Sequence, residues 1–300
     1  MDTIFEIFTS EQFYFTAIRM MTPILYAALA CQIFIRGGID PIATEGIMLM
    51  TALARPLGGY FTNNAFLGVL FSMVIGAFLS FLFVLITNKL ETNEILTGIA
   101  FNTFAMGITV FLLYYLTGEK GSTQSLKTPV VANINIGNTK IFSGHNVLTY
   151  LAILMVLLIY ILLYKTPSGI KIRAVGESPG AASSVGISVL KTRYITAILA
   201  GSLIGLGGAF MSMGYVQGFS RNMIAGRGFI GMAANGMGGS NLLGVLLSSL
   251  LFGLADSFAI RLQLHNVPTK LVQMIPYIVT IIVITIFSAI SLQRERRKKH

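Results

Sequence analysis

Long apolar runs alternate with short polar interruptions along almost the whole chain. A run of about 20 apolar residues is long enough to cross a bilayer as a helix. On that spacing the pattern predicts nine crossings, at residues 15–35, 42–58, 66–86, 95–116, 147–164, 194–216, 224–238, 243–261 and 271–290. The fold class expected is an all-α polytopic membrane protein of about nine helices, between roughly eight and ten. Residues 1–300 read as one transmembrane domain, with notable loops at 117–146 and 165–193. Two crossings are too short and too polar to face lipid. The second holds Pro41, Thr44, Glu45 and Gly46, and the seventh reads AGRGFIGMAANGMGG. Broken helices persist in a bilayer only where protein or a water-filled cavity surrounds them, so both are expected beside a central pathway.

The sharpest polar interruption is GIKIRAVGESPGAASSVGI, from Gly169 to Ile187. Around it Lys165, Lys171, Arg173, Lys191 and Arg193 stand against one acid, Glu177. A short basic loop between two spans marks the cytoplasmic side. Inside it Ser178 can cap a helix whose first position is Pro179, with Ala181, Ala182, Ser183 and Ser184 following. Such a small, smooth helix suits contact with another protein. The tail, with Arg294, Arg296, Arg297, Lys298 and Lys299, also reads as cytoplasmic. Nine crossings then put the N-terminus outside, in keeping with Asp2, Glu6 and Glu11, and the 117–146 loop with it. An acidic start is wrong for a cleaved signal peptide, so the first span is expected to be retained.

Composition excludes several classes. The chain is 54% hydrophobic and 11% charged, with a mean hydropathy of +0.78, whereas soluble domains carry about 25% charged residues. The net charge of +10 follows from the basic loop and tail rather than from nucleic-acid binding. One cysteine, Cys31, permits no disulfide within the chain, and His145, His265 and His300 are far apart in sequence, so neither a metal site nor a cofactor is expected. No phosphate-cradling GxxxxGK[ST] occurs, and no nucleophile–base set. The chain is not expected to be an enzyme, and any nucleotide energy must come from another chain. Small residues four apart, Gly201 with Gly205, Gly205 with Ala209, and Ser249 with Gly253, predict close helix packing.

The loop core Gly176, Glu177, Pro179, Ala181, Ala182, with its exit Gly186-Ile187, resembles the permease subunits of bacterial ATP-binding-cassette importers of the ribose and branched-chain amino acid type. EGIMLMTALA from Glu45, and GRGFIGMAANGMGGSNLLGVLLSSLLFGLADSFAIRLQ from Gly226, resemble the nucleoside-type subgroup. The likeness runs over roughly 22–290. IRGGIDPIAT, and Asn241-Leu242 after the seventh helix, depart from the family pattern. The resemblance implies a second permease, usually a paralogue, two ATPase domains docking on the Ser178–Ile187 helix, an extracellular lipoprotein that delivers cargo, and a bacterial plasma-membrane location. The cargo implied is a nucleoside; a simple sugar or a riboflavin-like compound stays open. An ion-coupled secondary transporter is the competing class, and it lacks relay residues here.

For the pathway the candidates are Glu45, Asn102, Asn235, Phe104 and Phe229. A carboxylate at the centre of a span costs about 2.5–3.5 kcal/mol, so Glu45 must face protein or water. It can read cargo hydroxyls or anchor a broken helix. Asn102 and Asn235 can bond cargo or glue helices, and Phe101, Phe104 and Phe229 can stack on a base or pack. Asp256 and Arg261, five apart, are badly spaced for pairing with each other and are expected to find partners on other helices or simply to sit at the membrane interface, rather than to touch cargo.

Overall fold

The computed structural model describes residues 10–118, 121–123, 128–131, 133–134, 141–239 and 241–263, with positions 274, 278, 281 and 285. Apart from those four positions the crossing expected at 271–290 lies outside these, as do the basic tail, His265 and His300. Among the described residues ten α-helices follow in order: α1 Glu11–Arg36, α2 Thr44–Thr62, α3 Ala65–Lys89, α4 Glu94–Thr117, α5 Val147–Lys165, α6 Pro167–Glu177, α7 Pro179–Ser184, α8 Val189–Phe210, α9 Arg227–Gly238 and α10 Leu242–Gln263. A 3₁₀ turn, Pro41–Ala43, leads into α2, and a π turn, Met211–Tyr215, extends α8. Two dipeptide strands, β1 Asn133–Ile134 and β2 His145–Asn146, pair antiparallel.

Six of the helices are long and apolar enough to cross a membrane: α1, α3, α4, α5, α8 with its π turn, and α10. The chain is an all-α, multi-pass membrane protein. The seventh crossing, expected at 224–238 as too short to face lipid, is a short helix. It is α9, only 12 residues long, which rises about 18 Å against a hydrocarbon core of about 30 Å. A turn-rich segment, 216–226, precedes it. The basic loop also contains more helix than expected. Before α7 lies α6, started by the same device, with Thr166 Oγ1 accepting from Gly169 N at 3.2 Å and Pro167 in first position.

Helix α1 is the axis. It is buried continuously from Met20 to Phe34 and packs on α8, α9 and α10. The close packing rests on glycines. A Cβ on Gly205 would lie 2.7 Å from Met73 Cα and 2.5 Å from Ser72 O, so α3 and α8 touch backbone to backbone. Gly253 does the same for α10, where a Cβ would stand 2.5 Å from Ala17 O. By contrast α3, α4 and α5 turn Phe66, Leu70, Phe78, Leu96, Phe111 and Leu157 outward, as suits helices that face lipid or a second subunit.

A Cβ at Gly205 forces α3 and α8 apart, and overpacking of this kind costs about 1–3 kcal/mol. Gly205→Ala is expected to lower the unfolding temperature of the solubilised protein. Gly107, on α4, faces open space, so Gly107→Ala is expected to raise it slightly through helix propensity. Equal effects from both would mean that α3 and α8 are not in backbone contact.

Candidate functional site

The start of α9 lies inside the bundle. Gly231 packs against Ala27 and Ala28, near the middle of α1, while Gln32, one turn further along α1, lines a cavity with Asn235 and Gly239 from the far end of α9. A helix that begins there exposes backbone N–H groups with no partner in the helix itself. Glu45, in the first turn of α2, meets them. Its Oε1 accepts from Gly226 N at 2.8 Å and its Oε2 from Gly228 N at 2.7 Å. The negative charge also opposes the positive end of the helix dipole. The flanking glycines are required. Gly226 sits at φ +84°, and a Cβ on Gly228 would fall 2.7 Å from Glu45 Cα.

The opposite flank of α2 is closed in the same way. Asn102 Oδ1 accepts from Gly46 N at 2.8 Å, and Asn102 Nδ2 donates to Ile42 O at 2.8 Å. One side chain of α4 thus bridges the 3₁₀ turn and the first turn of α2. Two of the sequence candidates, Glu45 and Asn102, therefore meet at one break in the chain.

Asn235 is elsewhere, buried near the α6–α7 end. With the Gln32 amide oriented so that its oxygen accepts from Arg36 Nε at 3.3 Å, its nitrogen donates to Asn235 Oδ1 and to Gly239 O. Gln32, Arg36, Asn235, Arg173, Gly176 and Glu177 line one cavity of about 480 Å³. A pathway candidate is thereby joined to the loop motif. Phe104 and Phe229 stand on outward faces, 56% and 44% exposed. Phe101 is buried edge-to-face on Phe83, ring centroids 6.1 Å apart.

The loop motif has a defined shape. Ser178 ends α6, its N–H donating to Ala174 O at 3.1 Å, and starts α7, its Oγ accepting from Ala181 N at 3.4 Å. At the far end Ile187 N donates to Ala182 O and Gly186 N to Ser183 O, both at 3.0 Å, with Gly186 at φ +83°. This is a Schellman stop, in which the left-handed glycine lets the last carbonyls be satisfied. Pro179, Gly180, Ala181, Ser183, Ser184 and Val185 are exposed, but Ala182 is buried at 3%. Ala182 anchors α7, and the surface open to a partner is formed by its neighbours. Gly176 is also internal, because a Cβ there would lie 2.8 Å from Arg36 C and 2.9 Å from Gly38 N.

Three arginines, Arg55 wholly buried and Arg193 and Arg227 partly so, carry contacts that the sequence reading did not single out. Arg193 Nη1 donates to Asn88 Oδ1 at 2.9 Å, Nη2 donates to Gly38 O at 3.0 Å, and Nη1 pairs with Glu94 Oε1 at 3.5 Å. Glu94 Oε2 in turn accepts from Asp40 N at 2.7 Å. The α1–α2 link and helices α3, α4 and α8 are thus tied at the basic end. Arg55, wholly buried on α2, donates to backbone carbonyls, Ser212 O at 3.5 Å and Pro129 O. Arg227 pairs with Asp256 across 3.9 Å and lies 5.0 Å from the centroid of the Tyr215 ring. Asp256 and Arg261 do find partners on other helices, the latter donating to Gln12 Oε1 at 3.2 Å. Among the described residues no group of three His, Cys, Asp or Glu could hold a metal ion.

Comparison with known proteins places residues 13–284 on the model of the family described as branched-chain amino acid transport system / permease component. The chain is 34% identical to the nucleoside ABC transporter permease protein NupC of Lactococcus lactis, over 89% of each chain. It is 31% identical to the guanosine ABC transporter permease protein NupQ of Bacillus subtilis, over 88% of each. It is also 26% identical to NupB, a second nucleoside ABC transporter permease protein of Lactococcus lactis, over 86% of this chain and 75% of that one. No solved structure matches.

Glu45→Gln keeps the shape but replaces one acceptor oxygen with an NH₂ that faces an amide N–H. Hydrogen bonds to a charged group contribute about 1.5–3 kcal/mol each. The variant is expected to unfold at lower temperature, and Gly228→Ala to do the same by lifting α9 off α2. Unchanged unfolding temperatures for both would show that the carboxylate does not hold the start of α9.

Proposed function

Because this chain belongs to the family of permease components of branched-chain amino acid transport systems, we propose that it is one of two membrane-spanning subunits of an ATP-driven nucleoside importer. The match to permeases named for nucleosides and guanosine along nearly the whole of both chains supports the cargo class. NupB and NupC, both from Lactococcus lactis, support a partner that is a different permease. In this reading residues 1–300 are one permease domain in a bacterial plasma membrane. The α6–α7 end is cytoplasmic, because its basic residues obey the charge rule, and the N-terminus is outside. A binding lipoprotein delivers cargo to the opposite end.

The observation that carries the coupling role is the geometry of α7. It is a capped, Schellman-stopped helix whose outer face offers only Pro179, Gly180, Ala181, Ser183, Ser184 and Val185. A separate ATPase pressing on that face would move α6 with it, since Ser178 belongs to both helices. Gly176 bears on the end of α1, and Arg193 on the α1–α2 link and α4. The push would thus reach the helices that hold Glu45 and Asn102. Alternating access follows if the ATPase binds the two states of the pair with different affinity. In this reading Glu45 and Asn102 hold the broken helices, and the pathway runs between the two permeases along faces that include Phe104 and Phe229.

Two outcomes are expected. In vesicles, guanosine uptake should stop when the ATPase is inactivated and persist when an uncoupler collapses the ion gradient; the reverse pattern would indicate a secondary transporter. Ala181→Glu or Ser184→Glu should leave expression and assembly intact while lowering uptake at least tenfold and freeing ATP hydrolysis from its dependence on cargo. Ala182→Glu, which buries a charge, should instead lower the amount of folded protein. Full transport by both surface variants would place the docking face elsewhere.

A further inference from the structure

A second polar cavity, of about 490 Å³, opens between the 216–226 segment, the start of α9 and α10. It is at the end of the bundle remote from α6 and α7, since Ser257, next to Asp256, donates to Phe13 O near the beginning of α1. Its polar wall is Tyr215, Asn222, Arg227, Asp256 and Gln263. Asp256 and Arg227 are largely buried, with side chains 11% and 12% exposed. Charges withdrawn from water normally saturate their hydrogen-bonding capacity on protein. These do not. The nearest Arg227 nitrogen is 3.9 Å from Asp256 Oδ2, beyond hydrogen-bond reach. Asp256 accepts no hydrogen bond from any described residue, and Arg227 Nε is buried without a partner among them. Arg227 Nη1 is held by Ile224 O at 3.2 Å, and its guanidinium by the Tyr215 ring, so the arginine is fixed in place rather than free to close on the carboxylate.

A carboxylate that is charge-balanced yet retains its lone pairs, beside neutral amides in a cavity of small-molecule size, calls for a neutral ligand bearing O–H donors. Adjacent hydroxyls on a five-membered ring present two such donors to the two oxygens of one carboxylate. We propose that Asp256 is a specificity-determining residue that binds the ribose 2′- and 3′-hydroxyls of a nucleoside, with Asn222 and Gln263 available to polar groups of the base. This rests on the nucleoside-importer reading. Burial strengthens such charge-assisted bonds, and a site built to receive hydroxyls discriminates against analogues that lack them.

The test is equilibrium binding of radiolabelled guanosine and 2′,3′-dideoxyguanosine to the assembled permease–ATPase complex in nanodiscs, without the binding lipoprotein. The wild type is expected to prefer guanosine by about tenfold or more, as loss of hydrogen bonds to a charged group implies. Asp256→Asn should bind the two compounds about equally. The double variant Asp256→Asn with Arg227→Gln removes both charges together and separates ligand contact from charge balance. If Asp256 reads ribose, the double variant still lacks the preference while eluting as an intact complex. A double variant that regains the wild-type preference would overturn the proposal, as would a wild-type complex that imports guanosine with its lipoprotein but shows no preference here. Failure of the wild-type assembly to import guanosine at all would instead remove the importer reading on which the proposal stands.

Discussion

Every backbone N–H in an apolar layer must find an acceptor, and the first N–H groups of helix α9 have none within the helix itself. Glu45 meets that demand by accepting from Gly226 and Gly228. The position of α9 on α2 depends on it, and so does the contact of Gly231 with α1. A carboxylate is suited to the task because two oxygens face two amides and its charge opposes the helix dipole. Asn102 performs the neutral version of the same task for α2. Both breaks in the bundle therefore persist because side chains complete the hydrogen bonding that a continuous helix would supply for itself.

Glycine sets how closely these parts approach. α3 and α8 meet at Gly76, Gly201 and Gly205, and α2 and α8 meet at Gly208, where a Cβ would lie 2.7 Å from Met48 O. Backbones this close gain dispersion energy over a long seam, which matters in lipid, where apolar burial gives no advantage of its own. The seams bind α1, α2, α3 and α8 into a body from which α4 and α5 project apolar surface.

The two ends of that body are built differently. At the basic end Arg193, Glu94 and the Gly38–Gly176 contact lock α6 to several helices at once. A displacement of α6 or α7 cannot be absorbed locally, because close-packed interfaces shift between discrete arrangements rather than deform smoothly. At the other end charged groups are less fully matched. Arg55 reaches backbone carbonyls on two different segments, and the Arg227–Asp256 pair leaves its facing oxygens open.

The long apolar spans and the capped α7 were legible in the sequence because each is local. An apolar run fixes a span, and Ser178-Pro179 with Gly186-Ile187 fixes where α7 starts and stops. The glycine spacing at Gly201 and Gly205 announced a close approach without naming the partner, α3. What the sequence left open was long-range pairing. Glu45 read equally as a cargo contact or an anchor, since its partner Gly226 lies 181 positions away. Arg193 looked like one more loop charge, although it bonds Gly38 across 155 positions. Ala182 and its neighbours share one composition, and only packing turned Ala182 inward. Backbone propensity and hydropathy act within a few turns and are written locally, so the sequence by itself determined which segments are helices and which are broken. Which buried polar groups satisfy one another depends on how the helices assemble in space, and tertiary structure alone decided that.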